Sequence, residues 1–537
     1  MPQDKNSSRR RLEHPELSAQ SQAKVDALPQ QVVVIGGGLA GLTAALHLAE
    51  RGLAPVVFEA DPVYLGGRVA GGDPVNVSPS FQFRDEHGVH GIWSPYLNLQ
   101  AMLTRYAVRP MFVPAQEETW IYKRGNRVYK ANVGSAIRHS WVPAPLHYLA
   151  LFLRPRFVGM LGFRDWLTLP RVWYSLVFAL GIDPLAEGQP LEGLWLSDFV
   201  RGWPPALRAF FVGLARNGLS ARPEEVPSSG FVAFLRFYTL RRRDAWAFSY
   251  MPADGGMTLI DPLERILRNT GGSLRLGHVV SHLEQDGGGW RLFWHDPNGE
   301  ERGQAVAQHV VLATDAPNTR KILLAGSHTA GIATDLYWPR GMPTAVMRLW
   351  FDRSPQDPTE AGIFSGEFVL DNFFWLHRLQ DRYIEWHRAT GGSAIEVHLY
   401  GPPELLEEPD AVLLSRAITE VSGAFPELRG HVTDHFIRRN ESTHTLFGVG
   451  PADRHLGIVT PWPNLFCCGD WVRHASPSLF LERACVTGIE AANAVLRSHQ
   501  MEPWPLLTPQ PPERLAGWIE GLMLRGRRAW RRGGKRQ

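Results

Sequence analysis

The chain has 537 residues, of which 44% are hydrophobic and 20% are charged, and its formal net charge is +3. At roughly 150 residues per domain this length corresponds to two to four domains, and the composition excludes a disordered or collagen-like protein. The small net charge argues against a protein that binds nucleic acid. The three cysteines, Cys467, Cys468 and Cys485, argue against a disulfide framework or a thiolate metal site and favour a reducing compartment. We predict no metal site.

Residues 1–29 are polar and contain no apolar core, so we expect a disordered leader instead of a secretory signal. The strongest apolar run, at residues 172–180, is shorter than the roughly 18 residues that a membrane-spanning helix needs. The sequence therefore predicts a protein that is not secreted and does not cross a membrane.

A glycine-rich turn between a strand and a helix is the first chemical signal. Residues 32–35 are β-branched, as a buried parallel strand requires, residues 36–41 read GGGLAG, and an apolar helical pattern follows. A second strand at residues 56–58 ends at Glu59. This order predicts a dinucleotide site in which backbone amides bind phosphates and the acid accepts ribose hydroxyls; the alternative is a structural turn. The predicted cofactor contacts are Gly36, Gly38, Leu39, Ala40, Gly41, Glu59 and Ala60.

Several segments, spread along the chain, carry a family resemblance. Besides the turn, residues 59–68 read EADPVYLGGR, residues 464–470 read NLFCCGD before a helical pattern, and strand patterns follow residue 278 and precede residue 313. In order and spacing they resemble the FAD-dependent amine oxidase and carotenoid desaturase superfamily. The resemblance implies FAD as the cofactor and an α/β fold, with a Rossmann-type FAD-binding domain of the glutathione reductase kind and a discontinuous α+β substrate domain.

The resemblance also implies roles for single residues. Arg68 would neutralise pyrophosphate charge, Asp470 would bind the flavin ribitol, and the amide of Leu481 would face the pyrimidine end of the flavin. Val280 would contact adenine. The chain departs from the family at Arg483, where a glycine is usual. The cofactor contacts implied in this way are Gly67, Arg68, Val280, Gly469, Asp470 and Leu481.

Residues 85–98, DEHGVHGIWSPYLN, resemble the carotenoid desaturases that act on phytoene, ζ-carotene and β-rings. This resemblance implies an oxidoreductase that moves a hydride from an allylic carbon of a long apolar polyene to flavin, with a quinone or oxygen as the final acceptor. Desaturation, isomerisation and ring aromatisation stay open. The alternatives are a flavin amine oxidase or protoporphyrinogen oxidase-like enzyme and, in another class, a non-catalytic flavin-fold escort protein at membranes.

His87, His90 and Arg473 are the candidate catalytic groups beside the flavin. Imidazoles exchange protons near neutral pH, and a guanidinium can bind a quinone carbonyl. The alternatives are packed or surface histidines and an arginine in an ordinary salt bridge.

Two segments predict contact with a membrane surface. Residues 141–180 mix aromatic and apolar side chains with four arginines and one aspartate, and residues 513–537 carry eight basic and two acidic residues. Such residues suit the boundary between lipid and water, so we expect a peripheral protein on the cytoplasmic side of a membrane. Buried helices for the first segment and a solubilising or nucleic-acid-binding tail for the second are the alternatives.

The domains are expected to be discontinuous in sequence. Apolar and polar residues alternate at residues 394–400, and residues 344–351 are similar, which predicts half-buried strands in the substrate domain. The expected ranges are 30–95, 245–330 and 456–500 for the flavin domain, 96–244 and 331–455 for the substrate domain, and 501–537 for a Pro-rich linker and basic tail.

Overall fold

The structure is a computed structural model, and it describes residues 24–25, 30–78, 81–187, 191–219 and 221–533. The strands, numbered in chain order, are β1 (Lys24–Val25), β2 (Gln30–Ile35), β3 (Pro55–Phe58), β4 (Gly71–Ser78), β5 (Phe81–Glu86), β6 (Gly91–Trp93), β7 (Val113–Pro114), β8 (Glu118–Arg124), β9 (Arg127–Asn132), β10 (Phe248–Tyr250), β11 (Ser273–Arg275), β12 (Val279–Asp286), β13 (Gly289–His295), β14 (Arg302–Leu312), β15 (Gly341–Phe351), β16 (Ala361–Gly366), β17 (Asn372–Trp375), β18 (Ser393–Leu399), β19 (Val432–Thr445) and β20 (Leu465–Cys467).

The α-helices are α1 (Leu39–Ala49), α2 (Leu97–Arg105), α3 (Gly134–Arg138), α4 (Pro155–Val158), α5 (Phe163–Leu180), α6 (Leu196–Phe199), α7 (Pro205–Leu219), α8 (Ser228–Leu235), α9 (Asp261–Asn269), α10 (Ala316–Ala325), α11 (Ala330–Asp335), α12 (Asp381–Thr390), α13 (Pro403–Leu406), α14 (Asp410–Ala424), α15 (Phe480–Ser498) and α16 (Arg514–Gly533). Most of the leader expected at residues 1–29 lies outside the described residues; its strand β1 pairs with β14.

An eight-stranded sheet contains the strands on either side of the glycine-rich turn. Its order is β11-β3-β2-β14-β13-β12, and β20 and β1 also pair with β14. The pairings among β11, β3, β2, β14 and β20 are parallel. Val32, Val33 and Val34 of β2 are fully buried, as a central strand of a parallel sheet requires. The predicted α/β class with a Rossmann-type sheet is confirmed.

Strand β14 brings the two ends of the sequence pattern together. Its residues 310–312 lie between residues 33–35 of β2 and residues 465–467 of β20. The turns that follow β2 and β20 therefore meet at one edge of the sheet. Helices α1 and α15 also pack closely, because a Cβ atom on Gly488 would lie 2.5 Å from the carbonyl oxygen of Ala40.

A seven-stranded mixed sheet forms the second half of the molecule. Its order is β19-β15-β18-β17-β16-β8-β9, in which only β16 and β8 pair in parallel. Helices α7 and α14 pack against it. Strand β5 also joins this half, since the ring of Phe83 stacks on Tyr383 with centroids 4.1 Å apart. A three-stranded sheet, β6-β10-β7, crosses the expected domain boundary at residue 95.

The prediction of a half-buried strand at residues 394–400 was wrong. All seven residues of β18 are buried, including Glu396 and His398. The polar side chains of the alternating pattern bond to other buried groups instead of water, and Arg348 of the neighbouring strand β15 is only 1% exposed. The alternating pattern therefore has a different meaning here: the apolar face of the strand packs in an apolar interior, and its polar face lies in a buried polar network.

The C-terminal segment lies against both halves. The amide of Trp504 donates to Oδ1 of Asn493 (2.6 Å), and its indole donates to the carbonyl of His47 (2.9 Å). Helix α16 packs on α5, where a Cβ atom on Gly181 would lie 2.6 Å from Cβ of Met523. The expected linker and tail thus contact the rest of the protein at least as far as Met523, and α16 itself continues to Gly533. Among the described residues, no helix combines the length and apolar character needed to cross a bilayer.

Candidate functional site

The glycine-rich turn has no room for side chains at two positions. Gly36 has a φ of +105°, and a Cβ atom there would lie 2.8 Å from the carbonyl oxygen of Ala313. A Cβ atom on Gly41 would lie 2.0 Å from the carbonyl oxygen of Gly36. These contacts explain why strand and helix approach so closely at this turn.

Gly38 is different, because a Cβ atom there would point into open space with nothing within 4 Å. It is the N-cap residue of α1, so the amides of Leu39 and Ala40 belong to the first helical turn, which lacks intrahelical acceptors. Gly66 forms a bridge to Gly38, and Gly67 has a φ of +52°. The open cradle beside Gly38 is thus walled by bare backbone and the positive end of a helix, which suits a diphosphate.

Glu59 closes the turn from the end of β3. Its Oε2 accepts a hydrogen bond from the amide of Gly37 (2.7 Å), and Oε1 accepts from the amide of Asp61 (2.9 Å). Burial raises the pKa of Glu59, and these amides oppose the shift. The neighbouring Ala60 is exposed. The carboxylate is held where β3 ends, the position that ribose hydroxyls occupy in this type of sheet.

Val280 lies near the same edge. The amide of His278 donates to the carbonyl of Glu59 (2.8 Å), and Val280 follows in β12 with 7% of its surface exposed. The structure therefore brings Val280 and Glu59 into one neighbourhood; the contact of Val280 with adenine stays a prediction.

Arg68 and Asp470 meet although 402 positions separate them. Nη2 of Arg68 lies 2.7 Å from Oδ2 of Asp470, and the two side chains are 30% and 15% exposed. Asp470 follows Gly469, whose φ is +144° and whose amide donates to Oγ1 of Thr487 in α15 (3.0 Å). Two groups predicted to bind different parts of one cofactor are thus adjacent and partly open.

Leu481 lies in the first turn of α15, as expected. The helix begins at Phe480, and its N-cap residue Leu479 provides no side-chain cap, so neither Ser476 nor Ser478 caps it. The next residue, Glu482, accepts hydrogen bonds from the amide and side chain of Asn98 at 2.8 Å each. The carboxylate of Glu482 thereby joins α15 to the start of α2.

His87 and His90 lie beside the Arg68 side of the site. Burial lowers the pKa of His87 to about 3, with cationic Arg438 adding to the shift. Burial lowers the pKa of His90 to about 4, which the carboxylate of Glu396 opposes and Arg68 assists. Both imidazoles are therefore neutral at pH 7, and the lowered pKa values make them weaker bases than an exposed histidine.

A third histidine near Arg68 was not predicted. Nε2 of His444 is buried without a hydrogen-bond partner among the described residues. Burial lowers the pKa of His444 to about 4; Arg68 and His90 add to the shift and Asp470 opposes it. An unpaired buried nitrogen beside these groups is a donor or acceptor that a bound cofactor can satisfy.

Arg473 is placed differently from the two histidines. Its Nη1 donates to the carbonyl of Gly450 (2.6 Å), and burial lowers its pKa. Its charged neighbour is Arg483, and no carboxylate among the described residues forms an ion pair with it. The structure brings His87 and His90 together with Arg68 and leaves Arg473 on the α15 side of the site.

A buried polar network supports the segment that carries His87 and His90. Arg348 donates to Oε2 of Glu396 (2.8 Å), and Oε1 of Glu396 bonds to Nε2 of His398 (2.7 Å) and accepts from the amide of Val89 (2.7 Å). Gly88 has a φ of +137°, and a Cβ atom there would lie 2.8 Å from Cε1 of His398. Sequence reasoning missed this network because its residues read as the outer face of a half-buried strand.

The site as a whole fits FAD. No three histidine, cysteine or acidic side chains in the described part of the chain are grouped to hold an ion. Four features together suit a dinucleotide with two phosphates. They are the open space beside Gly38, the hydrogen-bonded carboxylate of Glu59, the Arg68–Asp470 pair and the unpaired nitrogen of His444.

Comparison with known proteins agrees with this reading. The chain is 22% identical to the carotenoid phi-ring synthase of Chlorobaculum tepidum, over 89% of this chain and 90% of that protein. It is 27% identical to the carotenoid phi-ring synthase of Streptomyces griseus, over 87% of each. It is 21% identical to the 15-cis-phytoene desaturase of Capsicum annuum, over 88% of this chain and 79% of that protein.

Solved structures show the same fold. Cyclohexylamine oxidase from Brevibacterium oxydans superposes with a TM-score of 0.63 at 15% identity, covering 88% of this chain and 100% of that one. The family model for flavin containing amine oxidoreductases matches residues 39–496. The chain therefore belongs to the flavin containing amine oxidoreductase family, and it is an FAD-dependent oxidoreductase.

Proposed function

We propose that this enzyme oxidises an end ring of a carotenoid at a membrane surface. FAD supplies the acceptor for a hydride. Loss of a hydride from one ring carbon and of a proton from its neighbour creates one double bond and transfers two electrons. Neutral His90 is the proton acceptor that we propose, and a quinone or oxygen takes the electrons afterwards.

One observation carries the choice of substrate class. A cleft in the second half of the molecule is lined only by aliphatic and aromatic residues. The one hydroxyl in its lining, on Tyr148, is 2.7 Å from Oγ1 of Thr239 and is therefore satisfied. An amine would need a polar partner, whereas a hydrocarbon ring needs only apolar contact. The lining residues are Tyr148, Leu151, Phe152, Phe157, Leu169, Val172, Trp173, Leu176, Leu207, Phe210 and Phe211.

The relatives support a ring over a linear polyene. Two proteins named carotenoid phi-ring synthases align over 87% or more of their own length and of this chain, whereas the phytoene desaturase aligns over 79% of its length.

The test compares substrates by loss of the oxidised flavin band. Purified enzyme is mixed in detergent without oxygen with β-carotene, lycopene, phytoene or cyclohexylamine, and absorbance near 450 nm (about the maximum of bound flavin) is followed. We expect β-carotene to bleach the flavin fastest and to lose hydrogen in pairs by mass spectrometry. Bleaching by the amine alone, or by phytoene and not β-carotene, would contradict the proposal.

A matched pair of variants links this result to the cleft. Leu169 lines the cleft from α5, so Leu169→Trp should raise the KM for β-carotene about tenfold, because the larger ring fills space that the substrate needs. Leu167 lies on the same helix but is 66% exposed, so Leu167→Trp is the control. Equal KM values for the two variants would exclude the cleft as the binding place.

We also propose that the surface formed by α5, α16 and Trp141, here called the apolar surface, contacts the membrane on its cytoplasmic side. Trp141 and Phe163 are each 79% exposed, Tyr174 is 72% exposed, and Trp518 on α16 is 62% exposed. Large exposed side chains of this kind on two packed helices, with arginines between them, support insertion at the level of lipid headgroups.

Point variants test this contact better than removal of the tail. Glu520 of α16 lies 2.8 Å from Arg236, which is 5% exposed, so deleting the helix would remove the nearer of the two carboxylates that pair with this buried arginine. Trp518→Glu combined with Leu522→Glu should move the protein from sedimenting phosphatidylglycerol vesicles into the supernatant. The control is Val459→Glu, at a residue that is 70% exposed in the range 456–500 expected for the flavin domain. Unchanged sedimentation of the double variant would refute the contact.

A further inference from the structure

Arg483 is the position at which the chain departs from the pattern of its family, and the structure gives its side chain an unusual environment. The residue is 2% exposed in the first turn of α15. Its guanidinium makes five hydrogen bonds, all to backbone carbonyls. The accepting carbonyls are those of Val472 (2.9 and 3.2 Å), His474 (3.2 Å), Ser476 (3.1 Å) and Ser478 (3.0 Å).

These carbonyls belong to one loop, residues 472–478, here called the arginine-bound loop. The loop connects Asp470 to Leu481, the two residues predicted to contact the flavin part of FAD. A side chain that binds four of its carbonyls fixes the path of the chain between those contacts. Arg483 therefore lies directly behind the backbone that should face the flavin.

The positive charge of this guanidinium has no ion-pair partner in the described part of the chain; its Cζ lies over the ring of Phe447, 5.5 Å from the ring centroid. None of its hydrogen bonds goes to a carboxylate among the described residues. Asp470, the nearest acid that acts on it, pairs with Arg68 instead. Burial lowers the pKa of Arg483 to about 10, so the group stays charged at pH 7. The N-terminus of α15 adds positive potential at the same place.

Such a charge acts differently on the two oxidation states of a flavin. Reduced flavin carries negative charge at its pyrimidine end, whereas the oxidised ring is neutral. A fixed positive charge in a site that excludes water stabilises the negative form selectively. Selective stabilisation of the reduced form raises the reduction potential.

We propose that Arg483 is a positioning residue that raises the reduction potential of the bound flavin through an uncompensated positive charge held behind the arginine-bound loop. This inference rests on FAD alone and not on the carotenoid substrate, so it stands or falls separately from the proposed function. It concerns the strength of the oxidant, and a strong oxidant is what withdrawal of a hydride from a hydrocarbon requires.

The experiment measures midpoint potentials of the FAD-loaded enzyme at pH 7 against reference dyes, with no substrate present. Arg483→Gln removes the charge, and Arg483→Lys keeps a charge but loses most of the hydrogen bonds. Arg497→Gln is the control, because Arg497 lies on the same helix with its side chain 55% exposed and paired with Glu490.

Arg483→Gln should weaken the preference for reduced over oxidised flavin at least tenfold, which is about 30 mV for a two-electron couple. Arg483→Lys should stay within about threefold of the wild type, which is about 15 mV on the same scale, although it binds FAD more weakly. Equal losses in the Gln and Lys variants would assign the effect to loop geometry and overturn the proposal.

An unchanged potential in Arg483→Gln would also overturn it. If Arg483→Gln is isolated without FAD, the Lys variant decides: a shift of tenfold or more there contradicts the proposal, and a smaller one supports it. A shift of the same size in Arg497→Gln would show that any charge on α15 has this effect, which again removes the special role of Arg483.

Discussion

Two arginine–carboxylate pairs in this enzyme have nearly equal lengths and different surroundings. Arg68 and Asp470 are 2.7 Å apart, with 30% and 15% of their side chains exposed. Arg348 and Glu396 are 2.8 Å apart, with 2% and 0% exposed. The first pair is open enough for a phosphate or hydroxyl to replace one partner, whereas the second cannot exchange partners without leaving a charge buried. Distance alone therefore does not distinguish a binding group from a structural one; access does.

Breaking the buried pair should have the largest effect on stability. Glu396→Gln leaves Arg348 without its ionised partner, so we expect a loss of about 3–5 kcal/mol in the free energy of unfolding. Urea unfolding of the holoenzyme at pH 7 measures it. Glu86→Gln is the matched control on the same arginine, and its loss should stay below about 1 kcal/mol.

The two acids differ because they share one cation. Burial raises the pKa of Glu86 to about 8; Arg348 opposes this shift and Glu396 adds to it. Burial also disfavours ionisation of Glu396, but Arg348 and His398 outweigh it and lower its pKa to about 2. Glu86 is thus largely protonated at pH 7, and a glutamine replaces it with little change. Equal losses for the two variants would contradict this division of charge.

Breaking the open pair, Arg68–Asp470, should weaken the binding of FAD more than it destabilises the fold. Arg68→Gln removes the cation that the site offers to a diphosphate, so FAD should bind about 10- to 100-fold more weakly in a fluorescence titration. Unfolding of the cofactor-free protein should change by less than about 1 kcal/mol. Arg291→Gln breaks a pair with Asp286 of similar exposure in the β12–β13 hairpin and is the control. If Arg291→Gln weakened FAD binding as much as Arg68→Gln does, the effect could not be assigned to the Arg68–Asp470 pair.

The smallest effect concerns pH. Because the pKa of Glu86 is raised in the folded state, its contribution to stability is present below the unfolded value of 4.5 and is lost as pH rises through about 8. Between pH 6.5 and 7.5 the wild type should therefore lose roughly 1 kcal/mol relative to Glu86→Gln. If the free energies of unfolding of the two proteins changed with pH in parallel, the pKa of Glu86 would not be raised in the folded state.

The flavin half was predictable because its constraints are local. A φ of +105° at Gly36 and the 2.0 Å approach at Gly41 leave glycine as the residue that fits, so the pattern in sequence reports the geometry directly. The acid after β3 and the Gly469–Asp470 turn after β20 follow from the same sheet. Each of these features occupies a few consecutive residues.

The missed parts depend on contacts between distant segments. Glu396 and His398 carry the period of a solvent-facing strand face, and only the packing of β5 and α12 near that sheet makes the face an interior. The hydrogen bonds of Arg483 depend on the path of a loop that no short pattern encodes.

The 402 positions between Arg68 and Asp470 have a consequence for biogenesis. A nascent polypeptide that still lacks β20 and α15 would have the groups predicted to bind the adenosine and the diphosphate, but not those predicted to bind the ribitol and the flavin ring. Binding of FAD should therefore follow translation of nearly the whole described chain. Contacts this remote slow folding, since loop closure precedes any gain from them. The yellow colour of bound FAD in purified protein would then indicate that β20 and α15 are present, and products truncated before β20 should be colourless.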